Sequence, residues 1–152
     1  MKKTLALTLL LTLLCCAIFC FPVNATESNK VTIKRLDNGD YIETIITYSE
    51  NDDRAATRSG SKTNNYKNSA GETLWSITVN GTFTYNGTTS SCTSASHSAS
   101  AYAEGWSIKS SSSSKSGNCA TANATATYKN LLISRDYTMT VNLYCSPYGI
   151  LS

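Results

Sequence analysis

From Thr73 to the C-terminus, apolar and small polar residues alternate along much of the chain. Trp75, Ile77, Val79, Phe83 and Tyr85 share one parity; Ser76, Thr78, Asn80, Thr82 and Thr84 share the other, and Gly81 interrupts the apolar side. Successive side chains of a strand point to opposite faces, so this pattern predicts a half-buried β-strand. Tyr137, Met139, Val141, Leu143 and Cys145 repeat it against Thr138, Thr140, Asn142 and Tyr144. Between these runs, Ala120, Ala122, Ala124 and Ala126 are expected to face the core, where their small size leaves room for Trp106 or Trp75. Thr121, Asn123, Thr125 and Thr127 then face water. Trp106 and Ile108 open a further strand through serines 110–114. A three-residue loop at Lys115–Gly117 would pair Ile108 with Ala124 and Trp106 with Ala126.

Turn residues punctuate the alternation. Asn68-Ser69-Ala70-Gly71 reads as a turn opened by an asparagine and closed by a glycine. Asn86-Gly87 predicts a two-residue hairpin that sets Tyr85 opposite Thr88, Phe83 opposite Ser90 and Gly81 opposite Cys92. Nearer the start, "VTIKRLDNGDYIETIITY" (31–48) reads as a hairpin about a type I′ turn at Asn38-Gly39, with Lys34 facing Glu43. The polar stretch that follows, 49–60, lacks an apolar period and reads as a linker or mobile loop. The fold expected is all-β. A small antiparallel β-sandwich spans 61–152, preceded by an N-terminal hairpin at 26–48 that either stands apart or joins the main sheet.

The first 25 residues change which charges and thiols count. Lys2 and Lys3, a leucine-rich run to Phe21, and the Val23-Asn24-Ala25 ending read as a signal peptide cleaved after Ala25. A membrane anchor is the rival reading, but no basic stop-transfer cluster follows the run. Cleavage removes two of the 13 basic residues and none of the ten acidic ones, leaving a formal charge of +1. That balance gives no basic stripe for a nucleic-acid partner. Three cysteines remain in what is then an oxidising compartment. By parity Cys92 and Cys145 point inward near strand ends and are expected to form a disulfide. Cys119, with the parity of Thr121, is the free or intermolecular thiol.

The stretches "WSITVNGTFTYNGTTSSCTSAS", "KSGN" with the alanine–threonine run after it, "VNLYCSPYGILS" and "DNGDYIETII" resemble a group of small, uncharacterised secreted proteins of Gram-positive bacteria. The resemblance covers nearly the whole mature chain. Its shared features are structural, so it implies export and a β fold and supplies no activity. Cys119 stands where that group often has a small residue.

Candidate chemistry is sparse. The one histidine, His97, lies among small polar residues and is expected to face solvent; no Gly-x-Ser-x-Gly elbow accompanies it. One histidine and three scattered cysteines offer no zinc spacing, and Glu72, Glu104 and Asp136 stand alone. No catalytic residue and no cofactor is assigned. The outward Thr121, Asn123, Thr125 and Thr127 could form a flat polar array with Thr138, Thr140, Thr82 and Thr84, suited to ice, a glycan or a cell-wall polymer. Tyr144 and Tyr148 are the aromatic contact candidates. The expected function is a secreted, extracellular, non-catalytic binding module. Its partner is unknown: a cell-wall polymer or another secreted protein, with no nucleic acid and no stable membrane insertion. A small exported antibacterial protein is the alternative.

Overall fold

The computed structural model describes residues 27–49 and 56–152. The expected leader, Met1–Ala25, lies outside the described residues, as does 50–55 of the expected linker. Eight strands follow in chain order: β1 (Glu27–Arg35), β2 (Tyr41–Ser49), β3 (Thr57–Lys67), β4 (Thr73–Tyr85), β5 (Ser90–Ala101), β6 (Trp106–Ser116), β7 (Cys119–Lys129) and β8 (Ser134–Tyr144). Each pairs antiparallel with its sequence neighbour inside one of two sheets, β1 to β5 and β6 to β8. The protein is therefore an all-β, two-sheet antiparallel sandwich. β7 packs over β4 and β5, and β8 over β3 and β4, so β1 and β2 extend past the smaller sheet.

The N-terminal hairpin belongs to this assembly, because β2 pairs with β3 from Tyr41↔Lys67 to Tyr48↔Gly60. Of the expected linker, residues 57–60 are strand, which reflects hydroxyl side chains that suit the wet face of a sheet as well as a loop.

Between the sheets, size complementarity is strict. Trp75, Ile77, Val79 and Phe83 are wholly buried, and across from them Ala120, Ala122, Ala124 and Ala126 form a column of small side chains at 0–2% exposure. Met139, Val141 and Leu143 fill the adjoining strip. An aromatic cluster fills one end: Tyr66 lies 5.8 Å from Trp106 and 5.7 Å from Tyr137, and Trp106 lies 4.9 Å from Tyr137. The Tyr66 hydroxyl donates to Asp40 (2.8 Å), and burial leads the causes that push this phenol up to about 12. Gly81 is where the chain needs a glycine for space, since a Cβ there would sit 2.6 Å from the Phe83 ring.

Three registers differ from the sequence reading. The first hairpin has a three-residue loop, Asp37–Gly39, closed by the amide of Leu36 donating to the carbonyl of Asp40 (2.9 Å). Only Gly39 takes positive φ, and Asn38 instead accepts the Asp40 amide with its side chain, so no type I′ turn forms. Lys34 consequently faces Ile42, and Glu43 faces Ile33. Glu43 makes its ion pair with Lys67 at 3.2 Å, and it accepts from Asn65. These contacts, the Asn65 bond first, hold its carboxyl below the ordinary range.

In the β4–β5 hairpin the loop is Asn86–Thr89, with Asn86 Oδ1 accepting the amides of Thr88 and Thr89, so Tyr85 faces Ser90 and Phe83 faces Cys92. Thr93 is then bulged, and the bulge exchanges the faces of the rest of β5. Gly81 therefore faces Ala95. His97 turns inward instead of towards solvent. The β6–β7 turn is two residues long, Gly117-Asn118, and Lys109 is bulged, which pairs Ile108 with Ala126 and Trp106 with Tyr128.

The alanine column has a direct consequence. Replacing Ala122 by Leu inserts three carbons where the opposing layer leaves no room. It is expected to destabilise the fold by about 1–3 kcal/mol. Urea unfolding followed by circular dichroism measures this; an unchanged midpoint would show that the sheets can separate at no cost.

Candidate functional site

The outer face of β6–β7–β8 brings most of the sequence-derived candidates together. Directly opposed residues of β7 and β8 join in four consecutive side-chain rungs. Thr121 donates to Asn142 (2.9 Å), Thr140 donates to Asn123 (2.7 Å), Thr125 and Thr138 share a bond (2.9 Å), and Thr127 donates to Asp136 (2.7 Å). Rungs recur about every 6.6–6.8 Å along the strands. Asp136 also pairs with Lys109 at 2.5 Å; this ion pair and the Thr127 bond hold its carboxyl low.

β6 adds a third column. Ser107, Ser110, Ser112 and Ser114 are exposed and stand opposite Thr127, Thr125, Asn123 and Thr121. The face is thus a three-wide grid of hydroxyls and amides, charged only at its Lys109–Asp136 end. A threonine hydroxyl offers one donor and two acceptor sites, and an asparagine side chain offers two donors. After the internal bonds are made, each rung still presents a free lone pair or amide proton outward. The cross-strand bonds also hold the rotamers, so a ligand meets groups already ordered.

A fifth rung closes the other end. Cys119 faces Tyr144 on the same outer face, and its thiol approaches the Thr121 hydroxyl at 3.5 Å. The Cys119 thiol beside the Tyr144 hydroxyl is the first cause of that phenol's upward shift. Tyr148 lies elsewhere, in the turn Ser146–Gly149, whose Pro147 carbonyl accepts the Gly87 amide. Thr82 and Thr84 are also apart, on the outer face of the larger sheet. There Thr47, Ser59, Ser61, Asn80, Thr82, Ser94 and Ser96 line a shallow polar depression.

The other two thiols are inside. Cys92 and Cys145 are buried, and the amide of Cys92 donates to Gly117 O (2.7 Å) while that of Cys145 donates to Asn118 O (3.0 Å). Both are fastened to the β6–β7 turn at one end of the sandwich. Among the described residues, Cys92, Cys119 and Cys145 are all free thiols. Burial pushes the Cys92 and Cys145 thiols up.

His97 has no catalytic geometry of the serine-hydrolase type, because its ring joins two strands. Nδ1 meets Ser113 (2.9 Å) and Nε2 meets Ser111 (3.1 Å), so both nitrogens are engaged by hydroxyls of β6 and neither by an orienting acid. With the Lys115 ammonium on the Thr93 carbonyl, these bonds close the seam between β5 and β6, which share no ladder.

Sequence reasoning missed the serine column and the polar depression. A run of identical serines hides its own period; only pairing with β7 shows which of them face outward. Among the described residues no group of three or more His, Cys, Asp or Glu is arranged to hold a metal ion. Fold and face together define a small two-sheet β-sandwich with an ordered polar grid. No family model matches the chain, and no curated protein or solved structure matches it.

Thiol reactivity follows from these positions. In the reduced protein at neutral pH, Cys119 should alkylate at least about tenfold faster than Cys92 and Cys145, since reaction needs an accessible thiolate. The buried pair hold their protons more tightly folded than unfolded. Their contribution to stability is therefore full below about pH 8.5 and is lost as pH rises beyond it. Mass mapping after timed alkylation, with urea midpoints across this range, checks both. Uniform labelling of the three thiols would contradict the burial pattern.

Proposed function

We propose that the protein is an exported, extracellular, non-catalytic binding module that presents the β6–β7–β8 face to an uncharged, hydroxyl- and amide-bearing polymer of the cell-wall kind. The four bonded rungs carry this reading: they form a repeating, pre-ordered and nearly charge-free surface, which suits a repeating ligand better than a compact one. Tyr144 borders the grid and adds an aromatic face for a sugar ring. Export rests on the leader-like first 25 residues, and the resemblance to secreted proteins of Gram-positive bacteria agrees with it.

The test is sedimentation with purified cell walls. Replacing Thr121, Thr125 and Thr127 together by valine keeps shape and β propensity but removes three hydroxyls. Binding should weaken at least about tenfold, equivalent to about 1.4 kcal/mol. Thr47→Val with Thr82→Val, on the other sheet, should leave it unchanged. Equal loss from the variants of the two faces would remove the grid as the site, and killing of neighbouring bacteria without wall binding would favour the antibacterial alternative.

In an oxidising compartment we further propose that Cys92 and Cys145 close a disulfide, with Cys119 left free or joined to a second copy. Both buried sulfurs lie at the β6–β7 turn end of the core. On the chain-entropy model a loop of about 50 residues gains roughly 4 kcal/mol. Peptide mapping of the alkylated, non-reduced protein should yield a Cys92–Cys145 linked peptide; a link from Cys119 to either one would overturn the assignment.

A further inference from the structure

The β7–β8 hairpin ends in the most exposed apolar residues described. Leu131 is 103% exposed and Leu132 91%, and Ile133 stands beside them. This is not a loose loop. The Asn130 amide donates to the Ile133 carbonyl (3.0 Å), and Asn130 Oδ1 accepts the amides of Leu132 and Ile133 (2.9 Å each). Asparagine favours such side-chain-closed turns, and polar residues would serve the exposed positions at no loss of turn geometry. The turn holds two leucines in water, and exposed apolar surface of this kind marks a contact.

What surrounds the tip indicates the contact's chemistry. From Asn130 to Ser134 there is no charge, whereas exposed Lys129 and Arg135 flank it on the two strands. Lys129 donates its amide to Gly105 of the adjoining β5–β6 loop, where Glu104 is the acid beside the tip. The hairpin's other nearby charges, Lys109 and Asp136, neutralise each other. Tyr128 sits at the root, its hydroxyl accepting from Asn130, and Tyr102 is exposed on the β5–β6 loop. A convex apolar point, an aromatic root and cations one or two residues back match the layers of a bilayer surface: acyl boundary, interface and anionic headgroups.

We propose that the Leu131–Ile133 tip seats reversibly in the interface of an anionic lipid bilayer, with Lys129 and Arg135 on the headgroups. The occupant is the lipid surface. The inference goes beyond the polymer-binding reading and stands on different residues, so either can fail alone. The tip lies at the opposite end of β7 and β8 from Cys119 and Tyr144, roughly 33 Å along the strands. The wall-facing grid runs between the two ends.

The test is co-sedimentation of the folded protein, expressed from the full chain, with vesicles of phosphatidylglycerol and phosphatidylcholine in equal parts, and with phosphatidylcholine alone. The parent should sediment with the anionic vesicles. Leu131→Asn with Leu132→Asn should weaken this at least about tenfold while keeping the parent's circular dichroism; single Leu131→Asn serves if the double variant does not fold. Lys129→Gln with Arg135→Gln should narrow the preference for anionic lipid. Tyr148→Ser with Ile150→Asn, also exposed apolar positions but at the far end, should bind as the parent does. Absence of parent binding to either vesicle, equal binding of the tip variant, or tip-dependent self-association without lipid binding would each overturn the proposal.

Discussion

The structure depends on one steric fit, the wall of large side chains on β4 against the alanine column of β7. Sheets in a sandwich pack about 10 Å apart, and side chains from both must share that space. Trp75 and Phe83 use most of it, so β7 can lie over β4 only because Ala120, Ala122, Ala124 and Ala126 contribute single methyl groups. Where large residues do come from both sheets, at the Tyr66–Trp106–Tyr137 end, their rings tilt past one another. At the other end, Gly81 yields its side-chain space to Phe83, and Gly60 yields its own to Leu151.

This fit also determines the outer face. A strand has only two parities, and once the alanines of β7 are committed inward, Thr121, Asn123, Thr125 and Thr127 must emerge together. Met139, Val141 and Leu143 impose the same choice on β8. The rungs are thus a by-product of core packing in position, but not in chemistry. Valine would suit the pleat as well, whereas each threonine or asparagine here finds a hydrogen-bonding partner directly across the ladder. Burial of one face and order of the other are coupled through the backbone.

The two ends of the sandwich differ in kind. One holds Cys92, Cys145 and the C-terminal segment, where the Tyr144 and Ser152 backbones exchange hydrogen bonds and Leu151 is buried. That end is tied down. The other carries the β7–β8 tip and the β5–β6 loop, with apolar side chains held outward by local turn bonds. The body between them is stiffened by sheet pairing, so the two exposed ends keep a constant separation.

Strand existence, sheet class and the inward or outward choice on β4, β7 and β8 are legible in the sequence, because period-two alternation is a local record of one buried face. The alanine run could be assigned to the core for the same reason, and with it Thr121, Thr125, Thr127, Cys119 and Tyr144 to one outer face. Register was not legible. It depends on turns and bulges, and Asn38-Gly39, Asn86-Gly87 and Lys115–Gly117 each allow more than one loop length until the neighbouring strand selects one. The Thr93 bulge shows the cost: one unpaired residue moves His97 from solvent to the inter-sheet seam, though nothing around it in "TSASHSASAY" marks a change of face. The serines of β6 and β3 likewise acquire a face only through their partners. Alternation is written in neighbouring residues, but register is a choice among nearly equal pairings that only tertiary contacts can separate.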